Sequence, residues 1–215
     1  KRDGLPTGAV AGFCNMLNKL LDDAWAAGDV AYLAVVFDTA RASFRNDIYA
    51  DYKAHRPPPP DDLIPQFPLV RDATRAFNVA SVELAGFEAD DLIATYTRLG
   101  REAGLEVLIM SSDKDMMQLV GEGVSMLDPM KQRHIGPAEV EERFGVGPGK
   151  VIEVQALAGD SSDNVPGVPG IGVKTAAQLI NDFGDLDSLL ARAEEIKQPK
   201  RRQNLIDHAE LARLS

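Results

Sequence analysis

A single cysteine in 215 residues, Cys14, leaves no partner for an internal disulfide, so no crosslinked scaffold holds this chain together. Set among Phe13, Met16 and Leu17, it is expected to pack on an apolar helical face, which suits a reducing cytoplasm. The three histidines, His55, His134 and His208, stand far apart without ligand spacing, and this removes the usual zinc sites. Long hydrophobic runs are missing as well. The longest, 30–37 and 105–110, fall far short of the roughly 20 residues that cross a bilayer, and no basic-then-apolar leader precedes them, so neither membrane nor export is expected. There is no internal repeat, and the only biased tract is the run Pro57, Pro58, Pro59, Pro60. Basic excess is also lacking: the net charge is −10, which at first argues against a nucleic-acid partner. The chain opens on Lys1 rather than methionine, and no strand-like run comes before the helix signal at Thr7, so a preceding segment is expected.

What is present is enough for a full core, with 45% hydrophobic residues that could fill one large domain or two small ones. Thr7 reads as the N-cap of a helix that stops at Gly28. The continuously apolar stretch 30–37 reads as a strand covered on both faces, ending at Asp38. Residues 39–60 change character: Arg41, Arg45, Tyr49, Tyr52, Lys53, His55 and Arg56 lead into the prolines as a basic, mobile excursion. Helices are then expected from Asp61 and Asp62 to Phe77, from Glu88 to Ala103, through Leu119, and from Pro137. Strands are expected at 79–84, 105–110 and 124–127. From Gly145 onward strand signals cease, and short helices flank a glycine- and proline-rich hairpin at 165–172.

The acidity of the chain is concentrated. Eight of the 33 acids are Asp38, Glu88, Asp90, Asp91, Asp113, Asp115, Asp160 and Asp163; without them 25 acids face 23 bases. Glu88 and Asp91 share a helix face, Asp113 and Asp115 point the same way if extended, and Asp160 and Asp163 suit one helical turn. Singly, each has a plain structural explanation: Glu88, Asp90 and Asp91 would complement a helix dipole, and Asp113 would cap a helix. Jointly they imply a cation, because like charges ~4 Å apart repel by roughly 4 kcal/mol at an effective dielectric of ~20. All-oxygen ligation favours Mg²⁺ or Mn²⁺, and the acids suffice for two ions. A second pattern is Gly167-Val168-Pro169-Gly170-Ile171-Gly172-Val173-Lys174-Thr175, glycines opening onto a helix whose amides, with Lys174, would hold phosphate as a helix-hairpin-helix does.

In identity and order, several motifs resemble the 5′ nuclease domain of bacterial DNA polymerase I. They are Phe37-Asp38, Tyr52-Lys53-Ala54-His55-Arg56-Pro57, Gly86-Phe87-Glu88-Ala89-Asp90-Asp91, Ser112-Asp113-Lys114-Asp115, Gly159-Asp160-Ser161-Ser162-Asp163-Asn164 and Pro169-Gly170-Ile171-Gly172. The resemblance implies an α/β, PIN-like or Rossmann-like fold, its mostly parallel sheet flanked by helices. A nuclease domain at 1–145, with a flexible arch at 39–60, would be followed by a small all-α helix-hairpin-helix DNA-binding domain at 146–215. It implies Asp38, Glu88 and Asp90 toward one Mg²⁺ and Asp113, Asp115, Asp160 and Asp163 toward another, with Asp91 in support. Lys53 and Arg56 would steady the scissile phosphate, Tyr52 would stack on a base, and Gly167, Gly170, Gly172, Lys174 and Thr175 would grip DNA. It further implies a strand ahead of Lys1 ending in another ligating aspartate.

The function so implied is cytoplasmic, two-metal hydrolysis of DNA at a 5′ flap or junction, as 5′-3′ exonuclease and flap endonuclease, with a polymerase domain possibly following Ser215. The alternative left open is an impaired fragment that binds branched DNA without cutting. A phosphatase of the haloacid dehalogenase type would want Asp-x-Asp where Asp38-Thr39-Ala40 stands, and neither it nor a toxin-like ribonuclease needs the hairpin.

Overall fold

The computed structural model describes residues 4–28 and 30–215. In chain order the helices are α1 Gly8–Ala27, α2 Arg45–Ile48, α3 Gln66–Ala76, α4 Ala89–Glu102, α5 Pro137–Phe144, α6 Val151–Ala158, α7 Val173–Phe183, α8 Leu186–Ala191, α9 Pro199–Asp207 and α10 Ala209–Leu214. The strands are β1 Ala34–Val36, β2 Ala80–Val82, β3 Val107–Met110, β4 Val124–Asp128 and β5 Arg133–Ile135. Two compact units form, the first from residues up to Ser43 with Pro57–Leu92, the second from Phe44–Arg56 with Ile93–Ser215. The fold is α/β with mostly parallel pairing, giving way to helices alone after β5.

In the first unit, β1 pairs in parallel with β2, Ala34 opposite Ala80 and Val36 opposite Val82. Parallel pairing requires a crossover, and α3 lies within it. The ladder is shorter than the apolar run 30–37 promised: Val30 and Tyr32 are exposed, because two short strands offer too little surface for helices to cover both faces. Helix α1 packs on α3, and Leu17 is the buried member of a stripe that includes the half-buried Phe13 and Leu21. Cys14 is only half-buried and Met16 is exposed, since Met16 projects away from that stripe. Thr7 is the N-cap residue but its side chain makes no capping bond. The buried Gln66 does this work: its Oε1 accepts from the amides of Ala9 at 2.8 Å and Val10 at 3.2 Å, while its Nε2 donates to the Asp62 carbonyl.

In the second unit, β3 and β4 run parallel and β5 joins β4 antiparallel, Met126 opposite Ile135. The segment through Leu119, expected as an α-helix, is a six-residue 3₁₀ turn, Lys114–Leu119, opened by Asp113 accepting from the Asp115 amide. Strand β5 carries Arg133 and His134 before a single buried Ile135, too short an alternation to be legible in sequence. The main core is here. Met126, Val140, Val154, Leu157, Ile180 and Leu205 are shut off from solvent, with α6 buried on most sides and α7 presenting Ala176, Ala177, Leu179 and Ile180 at helical spacing.

Buried Asp128 closes the β4–β5 turn. Burial pushes its pKa up, but hydrogen bonds from the Ser112 hydroxyl and the amides of Lys131 and Met130 outweigh this and hold it below 3.8. A carboxyl with a depressed folded-state pKa stabilises the fold above its unfolded value, and that contribution is lost as pH falls through the folded one. Asp128→Asn is therefore expected to lower the thermal midpoint at neutral pH and to flatten its decline below pH 3.8, as followed by circular dichroism. An unchanged acid limb would contradict this.

Candidate metal centre and nucleic-acid interface

Each unit gathers carboxylates that are distant in sequence. In the first, Asp38 lies just past β1, and its Oδ1 accepts from the Ala89 amide at 2.7 Å, so a strand end and a helix start 51 residues apart meet. Glu88 is buried and its Oε1 accepts from the Ser43 hydroxyl at 2.9 Å. Asp91 turns back so that its Oδ2 accepts from the Glu88 amide at 2.9 Å, and Asp90 sits beside it in the first turn of α4. Arg71 holds the frame: it donates to Glu83 Oε2 and to the Asp38 carbonyl, both at 2.6 Å, with its guanidinium over the Phe37 ring. Helix capping and an oxygen-rich concentration of charge thus coincide at the start of α4.

In the second unit, Asp115 feels the charges of Asp113 and Asp160. The pKa of Asp115 is raised, chiefly by burial, with the negative charges of Asp113 and Asp160 adding to it and a hydrogen bond from Gln155 opposing it. Burial also works to raise Asp160, but Lys114, whose Nζ lies 2.6 Å from Asp160 Oδ2, and the Ser162 amide hold it below the usual range. Asp163 is met by two cations, the Lys53 ammonium at 3.5 Å and the Arg56 guanidinium in direct contact.

The stretch expected as a mobile excursion is folded where it joins the second unit. After α2, residues 50–55 form consecutive turns, with Asn46 Nδ2 donating to the Tyr52 carbonyl and the Lys53 ammonium over the Tyr52 ring at 5.0 Å. It rests on the loop 160–165: the Lys53 amide donates to the Asp163 carbonyl, Arg56 Nε to the Ser162 carbonyl, and Asn164 Nδ2 to the Asp51 carbonyl at 2.7 Å. That loop is pinched shut by two glycines. A Cβ on Gly159, at φ +70, would stand 2.6 Å from the Val165 carbonyl oxygen, and one on Gly167, at φ +59, would strike the Gly159 backbone.

Gly167 therefore has a structural place: it is buried and its amide donates to the Ser215 hydroxyl at 3.0 Å, which takes that N–H out of any phosphate grip. Gly170, Gly172 and Lys174 are exposed and Thr175 half-buried where α7 begins, with open space where a Cβ on Gly172 would stand. Asn204 on α9 braces the hairpin by donating to the Pro169 carbonyl at 2.7 Å.

Four residues that contact the candidate carboxylates or the segment beside them, Ser43, Lys114, Gln155 and Asn164, are not singled out by the sequence reading. Lys114 had a signal, lying between two aspartates, and Asn164 directly follows one; Ser43 and Gln155 carried none, because only the fold brings them to Glu88 and Asp115. Among the described residues no three acidic, histidine or cysteine side chains stand close enough to hold an ion as they are. Asp38, Asp160 and Asp163 instead meet the Ala89 amide, the Lys114 ammonium and the Arg56 guanidinium respectively. The donor chemistry nevertheless fits a hard cation: every oxygen is carboxylate, and ammonium and guanidinium groups already occupy the positive positions at Asp160 and Asp163. Among the described residues, no helix is long and apolar enough to cross a membrane.

Comparison with known proteins gives a consistent result. Residues 1–145 match the family profile of the 5′-3′ exonuclease N-terminal resolvase-like domain, and residues 146–215 that of the 5′-3′ exonuclease C-terminal SAM fold. DNA polymerase I of Rhizobium leguminosarum is 58% identical over 219 residues, covering 100% of this chain and 22% of the polymerase. A 5′-3′ exonuclease of Aquifex aeolicus is 38% identical over 195 residues, covering 91% of this chain and 66% of its own length. The chain thus spans about a quarter of the length of the polymerases it matches. In fold it is similar to T5 5′-exonuclease, solved with bound zinc ions, with a TM-score of 0.83 at 24% identity over 97% of this chain and 79% of that one. Matched from its first residue to its last, the chain belongs to the 5′-3′ exonuclease family.

Proposed function

We propose that this chain is the nuclease part of a longer protein and hydrolyses DNA phosphodiesters where a 5′ single strand leaves duplex, acting as 5′-3′ exonuclease and flap endonuclease. Primer removal and repair in the cytoplasm, beside a polymerase domain, would be its setting. Family membership supports the reaction class, and the T5 enzyme's divalent ions support metal dependence. The observation that carries it is the pair of carboxylate groups, Asp38 with Glu88, Asp90 and Asp91, and Asp113 with Asp115 and Asp160. The first group, and the second with Asp163, would each hold a Mg²⁺, for which Mn²⁺ could substitute. When bound, such ions neutralise charge on the phosphate and make water a competent nucleophile. The chain's own residues do the rest. Lys53 and Arg56 bring positive charge to the scissile phosphate, Tyr52 offers a ring to an unstacked base, and Gly170, Gly172, Lys174 and Thr175 hold the duplex backbone through amides and one ammonium. We propose that residues 146–215 serve as that duplex-holding domain.

The expected result is that the full-length protein carrying this chain shortens a 5′-labelled flap substrate with Mg²⁺ and stops when EDTA is added. Duplex binding should weaken steeply with salt, as contacts to phosphate require. The rival reading is a module that holds branched DNA without cutting. Retention of the flap in a mobility shift without any Mg²⁺-dependent product would establish that rival.

A further inference from the structure

We infer that Gln155 is a positioning residue, which from α6 holds the Asp115 carboxylate in the orientation that meets a divalent cation; this rests on Asp115 being a metal ligand. Gln155 and Asp115 stand 40 residues apart, and both belong to the second unit. There α6 packs on the 3₁₀ turn Lys114–Leu119, which Asp115 helps to open. Gln155 Nε2 donates to Asp115 Oδ1, while Asp115 Oδ2 takes no hydrogen bond among the described residues. One oxygen sets the direction of the group, and the other can face a cation.

Both ends of this bond are anchored. Val151, Val154 and Leu157 are shut off from solvent and fix α6 in the core. The main chain of Asp115 is fixed too, its amide donating to Asp113 Oδ1 at 3.0 Å and its carbonyl accepting from Gln118 Nε2 at 2.8 Å. Those bonds leave the rotation of the carboxylate undetermined, and Gln155 supplies that restraint, as a partner locked by its own packing must if a ligand is to be held ready. The same residue reaches the loop that carries Asp160: its carbonyl accepts from the Gly159 amide at 2.7 Å where α6 ends. One helix thereby sets the places of two of the acids. The chemistry of the donor matters as well. Lys114, paired with Asp160, brings a positive charge that opposes a metal ion, whereas the neutral Gln155 amide orients Asp115 without cancelling its negative charge.

Mn²⁺ calorimetry on the full-length protein, with Asp115→Ala as the reference, tests this. Gln155→Met keeps the length of the side chain but removes the donor. It should weaken the Mn²⁺ binding that depends on Asp115 by about 10- to 100-fold, the usual cost of losing the outer partner of a ligand. Gln155→Asn, which keeps the amide but draws it back by one methylene, should do the same. With Asp115→Ala already in place, Gln155→Met should change the affinity no further, because its effect runs through that carboxylate. A merely structural glutamine would instead lower the melting temperature and leave Mn²⁺ affinity where it was. Unchanged affinity in both Gln155 variants beside a weakened Asp115→Ala would overturn the positioning role and leave the metal assignment standing. An equal loss with and without the Asp115 carboxylate would overturn it in the same way. Wild-type affinity in Asp115→Ala would remove Asp115 from the metal ligands and the role of Gln155 with it.

Discussion

In the full-length protein, Asp115→Ala is expected to reduce flap cleavage by at least about 10²- to 10³-fold, the scale on which removal of a single preorganised charge-stabilising group is felt. Binding of the flap in EDTA should survive. Asp115 stands at the opening of the 3₁₀ turn Lys114–Leu119, half-buried, within electrostatic reach of Asp113 and Asp160 and held by Gln155. Deleting its carboxylate removes a cation donor without touching the core, so unfolding is not the expected cause of the loss. The pH dependence has a definite sign. Because burial first, and then Asp113 and Asp160, raise the Asp115 pKa, the carboxyl takes up its proton at a higher pH than an ordinary aspartate, and metal-dependent cleavage should fall correspondingly early on acidification. Asp115→Asn should be as inactive as alanine. Either variant cutting at the wild-type rate would remove Asp115 from the site.

Leu157→Ala is expected to cost about 2–5 kcal/mol, a large part of the roughly 5–15 kcal/mol that stabilises a domain. Leu157 is fully buried on α6, in the core built with α7. Its carbonyl also accepts from the Val168 amide at 2.8 Å, so the same residue ties the 159–167 loop to the core. A cavity at this point should therefore lower the urea midpoint of the second unit and loosen the loop that carries Asp160 and Asp163. Because two compact units exist, the measurement should follow a probe in the second unit and not a single global signal. A loss well below 1 kcal/mol would mean that this core is not packed as described.

Much of the fold was legible because its signals are local. Gly28 ends α1, Pro137 opens α5, and the apolar run before Met110 forms β3 as expected. What sequence failed to disclose depends on tertiary partners. Gln66 caps a helix start some 57 residues away, which no pattern around Thr7 could announce. The turn after Asp113 became 3₁₀ because that aspartate captured a nearby amide, and β5 exists because Asp128 and the strand beside it impose a hairpin on three residues of weak alternation. In the candidate site, the acids were visible as clustered charge, but which of them would meet was not. Asp38 reaching the start of α4, and Lys53 with Arg56 folding onto Asp163, are products of topology. Gly167 illustrates the opposite failure: its motif pointed outward to phosphate, while packing against Gly159 and Ser215 placed it inside.

The central claim is that these carboxylates exist to hold divalent cations against a nucleic-acid phosphate. Diffraction at the manganese edge from Mn²⁺-loaded crystals of the full-length protein tests it most directly. Anomalous peaks are predicted within oxygen-coordination distance, about 2.0–2.3 Å, of side chains from the set Asp113, Asp115, Asp160 and Asp163, or from the set Asp38, Glu88 and Asp90. Saturating Mn²⁺ that leaves both sets without a peak would contradict it.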